Sequence, residues 1–166
     1  KSRCLFDVIE GPCRNDLSIR PNQIFSISLD NPVLEQKLWK EVIDTCQTEL
    51  LTGYGLRSLS PKERSYHAHY KGNRFDRDSA YHQGAVWAWL IGHFVDAWLK
   101  VYKDRQKARS FLNLFEQHLE EAGIGSISEV FDGGSPHLPR GCIAQAWSVA
   151  EVLRSLLNLR SDKKWK

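Results

Sequence analysis

Apolar side chains recur at helical spacing in four parts of the chain, and this pattern predicts four helices. They cover residues 31–51, 79–102, 104–122 and 141–159, where apolar positions return every turn with polar positions between them. Residues 24–29 instead alternate apolar side chains with serines. That short pattern fits either a strand or a short helix that buries the serines, and the sequence does not decide between them.

Residues suited to helix ends support these boundaries. Asn, Asp and Ser accept hydrogen bonds from the first free N–H groups of a helix, and glycine adopts the left-handed conformation that often ends one. The expected N-terminal caps are Asn31 followed by Pro32, Asp78 or Ser79, and Asp104, and the expected C-terminal ends are Gly53 and Gly123. Before the helices, residues 5–9 fit a short strand that leads to a turn at Gly11-Pro12.

The segment 79–102 is apolar or aromatic on nearly every side, so we expect it to be the central, buried helix. The last predicted helix carries apolar residues at helical spacing that we expect to face the core. These residues are Ile143, Ala146, Trp147, Ala150, Leu153, Leu156 and Leu157.

Three long polar segments, 1–20, 52–78 and 123–140, alternate with tight connections near residues 31 and 104. Tight connections join antiparallel neighbours, so the chain is expected to run up and down. Alternate connections then lie at the same end, and the three long segments should crowd one rim of the molecule. Long connections in a compact domain often carry function.

Residue types suited to ligand binding are most frequent between residues 66 and 87. Tyrosines, histidines, glycines and an Arg-Asp pair occur there and are followed directly by an apolar segment. Aromatic faces with fixed polar groups beside them suit a polyhydroxylated ligand. The candidate contacts are Tyr66, His67, Tyr70, Arg77, Asp78, Tyr81 and His82, with Gln145 and Trp147 near the start of the last helix. We assign Trp87 and Trp89 to the core, and core packing is an alternative for Trp147.

A second motif, residues 126–134, places Glu129 between apolar neighbours in a loop flanked by glycines. A carboxylate that is partly removed from water can act as a general base. The alternatives are that Glu129 is a surface residue, that Asp132 caps a helix, and that Arg77 and Asp78 form a cap and an exposed ion pair. The histidines lack the spacing of a metal-ligand set, so no metal site is expected.

Composition narrows the class of protein. The chain has 166 residues, a net charge of +3 and 42% hydrophobic residues, which fits one domain over residues 1–166 with a real core. No basic run is dense enough to predict nucleic-acid binding, and no apolar run reaches the ~20 residues that a membrane span needs.

Neither a secretory leader nor a cysteine framework is present in the sequence. Cys4, Cys13, Cys46 and Cys142 form no CxxC pair, so free thiols are expected, although a Cys4–Cys13 bridge stays open. We expect a cytoplasmic protein that needs no cofactor.

Several short sequence motifs, which follow one another in order between about residues 5 and 155, closely resemble the C-terminal glucosidase domain of glycogen debranching enzymes, the amylo-α-1,6-glucosidases. The motifs are Arg20-Pro21-Asn22-Gln23, Glu129-Val130-Phe131-Asp132-Gly133 and Gln145-Ala146-Trp147-Ser148, together with the segments 51–60, 66–72 and 77–87. The resemblance implies an all-α fold that is part of an (α/α)6 toroid, as in six-hairpin glycosidases, with antiparallel helical hairpins and long functional loops on one rim. It favours a helix at residues 21–30.

The resemblance also implies hydrolysis, with inversion, of α-1,6-linked glucose at the branch points of glycogen or a limit dextrin. Inverting enzymes use a carboxylic acid and a carboxylate that stand roughly 6.5–9.5 Å apart. Glu129 corresponds by its motif to the family's general base. The general acid of the family lies in an aspartate-containing motif upstream of Arg20, and that motif is missing from this sequence.

The predicted helices are too few for a complete toroid, so we expect the chain to be the C-terminal portion of a larger (α/α)6 catalytic domain. Alone, it should be inactive or nearly so. Its expected partners are an α-glucan and the upstream part of the same enzyme. Apolar faces left uncovered should also drive the isolated chain into a dimer or larger homo-oligomer.

Three alternatives stay open. A carbohydrate-binding or regulatory module would use the aromatic residues without catalysis. Another glycosidase on the same toroid, trehalase-like or glucoamylase-like, would prefer a different substrate. A helical interaction domain would bind no sugar at all.

Overall fold

The structure is a computed structural model that describes residues 4–12 and 14–160. In chain order its elements are β1 (Val8–Gly11), β2 (Arg14–Asp16), a 3-10 helix (Pro21–Ile24), α1 (Phe25–Ser28), α2 (Gln36–Glu49), β3 (Leu51–Thr52), β4 (Gly55–Arg57), α3 (Arg74–Tyr81), β5 (Val86–Trp87), α4 (Leu90–Tyr102), α5 (Arg105–Ser110), α6 (Asn113–His118), β6 (Val130–Phe131), β7 (Pro139–Arg140) and α7 (Ala146–Arg160). Helices therefore predominate, and strands are present as well.

Helix α4 is the centre of the molecule. It packs against α1, α2, α5 and α7, and its buried side chains include Ile91, Phe94 and Trp98. Trp98 also donates from Nε1 to Gln47 Oε1 on α2 at 2.8 Å, so its one polar group is satisfied within the core. The expectation of a central, buried helix in this part of the chain is confirmed.

Five short strands form one antiparallel sheet, in which β3 to β7 lie side by side in chain order. Leu56 of β4 stands opposite Trp87 of β5, and Trp87 stands opposite Val130 of β6. The chain is therefore mixed rather than all-α. Each of these strands has only two or three residues, which is too short for a period of two to be recognised in the sequence.

The predicted helix over residues 79–102 is interrupted at its start. Helix α3 ends at Tyr81, the chain then turns through β5, and α4 begins only at Leu90. Gly84 explains the break, because its φ of +143° is incompatible with a helix and its N–H donates to Ser58 Oγ at 2.9 Å. Asp78 and Ser79 lie inside α3, so the expectation that one of them caps the helix is wrong.

The true cap of α3 is Asn73. Its side chain accepts from Asp76 N at 3.1 Å, and Asp76 Oδ2 accepts from Asn73 N at 3.2 Å. This reciprocal pair is a capping box with Asp in the third position, and it satisfies two N–H groups that the first turn would leave free.

Two other boundaries also differ from the expectation. Helix α2 begins at Gln36 rather than at Pro32, because the N–H groups of Val33 and Leu34 donate instead to Ser26 O. Gly53 does not end this helix, which finishes at Glu49, and lies in the turn between β3 and β4.

Asp104 caps α5 as expected, since its Oδ1 accepts from Lys107 N at 2.9 Å. The predicted helix over residues 104–122 is split into α5 and α6 and ends at His118, well before Gly123. Residues 21–28 are helical, which resolves the ambiguity over residues 24–29. The strand expected at residues 5–9 begins at Val8.

Helix α7 does not bury the expected apolar stripe. Trp147, Leu153 and Leu157 are 47%, 54% and 51% exposed, whereas Ser148 and Ser155 are fully buried. Small side chains let α7 lie close to α4, and the larger apolar side chains then point away from the core. Ile143, Ala146 and Ala150 are exposed as well, and only Leu156 of the stripe packs against the core.

Candidate active site

Arg20 ties the first long segment to the second. Its Nη1 donates to Ser58 O at 3.1 Å and to His82 O at 2.7 Å, and its Nη2 donates to Gln83 Oε1 at 2.8 Å. Asp7 pairs with Nε at 3.2 Å. The guanidinium thus holds three parts of the chain together while its charge is neutralised.

The third long segment joins the second through main-chain oxygens. Arg57 Nε donates to Gly133 O at 2.8 Å, and Gly134 N donates to Ala68 O at 2.8 Å. The three long segments therefore meet at one place in the described structure, as the alternation of long and tight connections predicts.

Glu129 immediately precedes β6 and is half-buried. Its Oε1 accepts a hydrogen bond from the Tyr81 hydroxyl, and its Oε2 accepts from Cys142 N at 2.9 Å. The Glu129 N–H donates to Cys142 O at 2.9 Å. Glu129 is therefore a fixed carboxylate with two donors, and the alternative of a solvated surface residue does not describe it.

Tyr81, the last residue of α3, stands in a group of aromatic rings. Its ring centroid lies 4.7 Å from Trp87, 4.8 Å from His82 and 5.6 Å from Tyr70. Burial, reinforced by the hydrogen bond to Glu129, raises the pKa of Tyr81 well above its usual range. The hydroxyl consequently keeps its proton at neutral pH and remains a donor.

Asp132 anchors the loop that carries Tyr70. Its carboxylate is 2% exposed and accepts from Arg140 Nη2 at 3.0 Å, from Tyr70 N at 2.8 Å, and lies 3.5 Å from His69 Nδ1. Burial alone would raise the pKa of Asp132, but the donors from Arg140 and Tyr70 outweigh it and hold the pKa below the usual value. Asp132 caps no helix and instead fixes Tyr70 beside Tyr81.

A cavity of about 440 Å³ opens beside these rings. Trp87, Trp89 and Trp147 form its aromatic wall, and the rings of Trp89 and Trp147 stack with centroids 5.3 Å apart. His82 lies parallel to Trp87 at 5.5 Å and also lines the cavity. Glu129 is not among the residues that line the cavity, and it is joined to the aromatic wall through Tyr81, which contacts both Glu129 and Trp87.

The polar lining of the cavity includes Asp7, Arg20, Asn22 and Gln83. Asp7 and Arg20 neutralise each other, which leaves amide groups as uncharged donors and acceptors. An aromatic wall with amides beside it suits an uncharged, hydroxyl-rich ligand better than an ion.

Some of the expected contacts lie elsewhere. Arg77 donates from Nη1 to Gly72 O at 2.7 Å, and Asp78 faces Arg74 at 3.5 Å on the exposed side of α3. Among the described contacts, none joins Arg77 or Asp78 to Glu129 or to the cavity lining. The alternative of an exposed ion pair describes Asp78, with Arg74 rather than Arg77 as its partner.

Tyr66, His67 and Gln145 are placed around the site through their backbones and close packing. His67 N donates to Gln83 O at 2.6 Å, and Gln145 N donates to Ile127 O at 2.9 Å. A Cβ on Gly133 would lie 2.6 Å from the Tyr66 hydroxyl. These residues hold the loops against one another, so they support the loops around the site.

The cavity is also lined by residues that were not among the expected sugar contacts. Trp87 is only 6% exposed, as expected of a core residue, and Trp87 and Trp89 both line the cavity, together with Arg20 and Asn22. A signal for the last two exists, because both belong to the motif Arg20-Pro21-Asn22-Gln23 that carries part of the resemblance.

Other expectations concern metals, membranes and cysteines. Within residues 4–12 and 14–160, no group of His, Cys, Asp and Glu side chains is placed to hold a metal ion. No helix in the described part of the chain has the length and apolar character to cross a membrane. Cys46 is buried, which raises the pKa of its thiol, and Cys142 is exposed. Cys13 lies outside the described residues, so the Cys4–Cys13 bridge stays untested.

Comparisons with known proteins identify the family of the chain. The family model described as amylo-alpha-1,6-glucosidase matches residues 1–154. The glycogen debranching enzyme of Saccharomyces cerevisiae (strain ATCC 204508 / S288c) is 30% identical over 94 residues, which cover 52% of this chain and 6% of the yeast enzyme. The chain thus spans only a small part of that relative. With most of its length matched by the family model, the chain belongs to the amylo-alpha-1,6-glucosidase family.

Proposed function

We propose that the chain is part of a glycoside hydrolase that removes α-1,6-linked glucose at the branch points of glycogen or a limit dextrin. The observation that carries the proposal is the fixed carboxylate of Glu129, which is joined through Tyr81 to a cavity walled by three tryptophans. The charged residues of the cavity lining, Asp7 and Arg20, pair with each other. Membership of the amylo-alpha-1,6-glucosidase family supports the choice of linkage. The aromatic wall supports a sugar ligand, because aromatic rings pack against the apolar faces of sugar rings.

Glu129 is the proposed general base. It would take a proton from a water molecule as that water attacks the anomeric carbon, while a carboxylic acid protonates the leaving oxygen from the opposite face. Such a pair inverts the configuration and stands roughly 6.5–9.5 Å apart. We propose that the acid comes from a part of the enzyme outside these residues, so the isolated chain would bind sugar without steady turnover.

The proposed substrate contacts are those expected from the sequence, with the structure suggesting two ways of acting. Tyr70, Tyr81, His82 and Trp147 belong to the aromatic group or the cavity wall. Tyr66, His67, Arg77, Asp78 and Gln145 would act in a longer α-glucan site or through the loops that they hold in place.

The larger context is also a proposal. An (α/α)6 toroid would need further helical hairpins, and the exposed apolar side chains of α7 are a surface that such hairpins could cover. We propose that these residues form the C-terminal portion of a larger cytoplasmic catalytic domain. The isolated chain would then cover the same surface by self-association.

Replacement of Glu129 by Gln in a catalytically complete protein that carries this chain tests the function. We expect release of glucose from a limit dextrin to fall by about 10²–10⁴-fold, the usual contribution of a general base. Binding of the dextrin should persist, since Gln keeps the size of the side chain. The matched control is Glu116→Gln on the exposed face of α6, which should leave turnover unchanged.

Two outcomes would contradict this proposal. Full turnover in the Glu129→Gln variant would show that Glu129 is not the general base, and the chain would then fit a carbohydrate-binding module. Faster hydrolysis of an α-1,4-linked or α,α-1,1-linked substrate than of the α-1,6-linked branch would favour a glucoamylase-like or trehalase-like enzyme on the same family of folds.

A further inference from the structure

Both oxygens of the Glu129 carboxylate are held by donors from different parts of the chain. The Tyr81 hydroxyl, at the end of α3, donates to Oε1. The Cys142 N–H, beyond β7, donates to Oε2 at 2.9 Å. One donor is a side chain and the other is backbone, so a substitution can remove the first without touching the second.

The backbone side of this arrangement leaves no spare room. Gly141 has a φ of +66°, and a Cβ there would lie 2.6 Å from Glu129 Oε2. The close approach of Cys142 N to the carboxylate therefore depends on glycine at the preceding position. Oε2 is held by the backbone N–H of Cys142, which follows β7. The rotation of the carboxylate about the Cγ–Cδ bond of Glu129 therefore depends on the donor to Oε1.

That donor, the Tyr81 hydroxyl, is itself rigidly placed. The Tyr81 ring packs edge-on against Trp87 with centroids 4.7 Å apart, and Tyr70 lies against it at 5.6 Å. Trp87 Nε1 donates to the backbone oxygen of Tyr81 at 3.0 Å. The ring cannot leave Glu129 without disturbing the aromatic wall of the cavity.

We infer that Tyr81, besides its proposed contact with substrate, is a positioning residue, which holds Glu129 in the orientation that the base needs. The inference rests on the proposed base role of Glu129. A carboxylate oxygen has two lone pairs, so each oxygen of Glu129 keeps one lone pair for a water molecule after accepting its hydrogen bond. Loss of the Tyr81 hydroxyl frees the carboxylate to rotate away from that water.

The hydrogen bond can be tested on the chain itself, without any assay of activity. Burial, together with the hydrogen bond and the charge of Glu129, raises the pKa of Tyr81, so removal of the negative charge by Glu129→Gln should lower the pKa of Tyr81. The titration is followed by NMR of the chain with ¹³Cζ-labelled tyrosine. The Tyr81 resonance is the one that disappears in Tyr81→Phe.

The effect on the reaction is tested by Tyr81→Phe in a catalytically complete protein. We expect kcat to fall by about 10–100-fold, because misplacement of a catalytic group by about 1 Å can cost a factor of 10². KM should change less than about twofold, since the ring and the cavity wall stay in place. A residue that only stabilised the fold would also lower the apparent kcat at constant KM, but only through a smaller amount of folded protein. The kcat is therefore divided by the folded fraction from circular dichroism, and a purely structural role leaves this corrected kcat unchanged.

The chain offers a matched control. The Tyr102 hydroxyl also donates to a carboxylate, that of Asp44, and Tyr102 is at the opposite end of α4 from Leu90, which lines the cavity. Tyr102→Phe removes the same kind of hydrogen bond and should leave both kcat and KM unchanged. Circular dichroism of both variants, at equal concentration, shows whether each one folds.

The outcomes separate the two proposals. An unchanged Tyr81 titration in Glu129→Gln, or an unchanged kcat in Tyr81→Phe, overturns the positioning role. If Tyr81→Phe fails to fold, the titration of Tyr81 in Glu129→Gln still decides whether the hydrogen bond exists. Normal turnover in Glu129→Gln overturns the proposed role of Glu129 as general base, whatever the titration of Tyr81 shows.

Discussion

Gly84 is the residue on which the close approach of the loop that carries His67 depends. Its φ is +143°, and a Cβ there would lie 2.2 Å from His67 O. We predict that Gly84→Ala lowers the free energy of unfolding by roughly 2–4 kcal/mol, because backbone strain and a clash with a backbone oxygen add together. Urea denaturation followed by tryptophan fluorescence measures the loss.

Gly125 provides the matched control for this prediction. It also has a positive φ, +77°, but nothing lies within 4 Å of the place that a Cβ would occupy. Gly125→Ala should therefore cost only about 1–2 kcal/mol from the conformation alone. Equal losses in the two variants would show that the contact with His67 does not matter.

At this scale the sequence reveals the type of residue but not its partner. Glu129 stands out because a carboxylate among apolar neighbours is unusual, and Tyr81 stands out because it lies in an aromatic loop. Their hydrogen bond joins residues that are far apart in the chain, and no local pattern encodes such a pair. Trp87 lies in the core as expected and also lines the cavity, and this second contact depends on distant residues in the same way.

At the scale of helices, a partly buried ion cluster joins α4 to α7. Arg154 Nη2 lies 2.7 Å from Asp96 Oδ2 and 2.7 Å from Glu151 Oε2. Burial raises the pKa of Asp96, and Arg154 opposes that rise. The ionised form of Asp96 is therefore tolerated between the helices largely because Arg154 is present.

We predict that Arg154→Gln lowers the free energy of unfolding at pH 7.5 by about 1–2 kcal/mol, a moderate value because Arg154 is 36% exposed. The folded-state pKa of Asp96 lies above its unfolded value, so the neutral carboxyl favours folding at low pH and this contribution is lost as pH rises through the folded pKa. Without Arg154 that pKa rises further. The deficit relative to wild type should therefore shrink between pH 7.5 and pH 5.

Urea denaturation of both proteins at the two pH values gives this comparison. Arg109→Gln is the control, since Arg109 faces Glu116 at 3.6 Å and both are well exposed; its effect should stay within about 0.5 kcal/mol. A deficit for Arg154→Gln that is independent of pH would contradict the role given to Asp96.

Elements with a local signal are predictable from the sequence, and elements defined by distant partners are not. Helix α4 follows from its continuous apolar surface, and Asp104 caps α5 through a neighbour three residues away. A short turn joins β3 to β4, but the later strands of the sheet pair across longer segments, so their positions depend on the fold. The start of α3 is predictable from the sequence, because Asn73 and Asp76 form a local capping box.

For the whole molecule, the exposed apolar face of α7 is the feature with the largest consequence. Leu153 and Leu157 are about half exposed and lie one helical turn apart. We predict that the isolated chain is a dimer or larger in light scattering, and that Leu153→Lys with Leu157→Lys makes it monomeric while the fold persists.

Ile124→Lys is the control for this prediction. Ile124 is 87% exposed but stands apart from α7, so its replacement should leave the association unchanged. A wild-type chain that is monomeric at high concentration would refute the role of this face. Equal dissociation by Ile124→Lys would instead point to a general effect of added charge.

The whole-molecule arrangement was partly predictable. The alternation of long and tight connections correctly brings residues 1–20, 52–78 and 123–140 together, because that argument depends only on chain direction. The outward face of α7 was not predictable, because an apolar stripe is the same in sequence whether it packs on its own chain or on another surface.

The chain order of the five-stranded sheet has a consequence for divergence between related sequences. Each strand pairs with its successor, so the segment between two strands leaves and re-enters the sheet at adjacent positions and crosses no other strand. An insertion in residues 58–73 would then lengthen one loop without shifting any register, and each doubling of a flexible loop costs only about 0.6 kcal/mol. Relatives are therefore free to lengthen this loop while the pairing of the five strands stays the same.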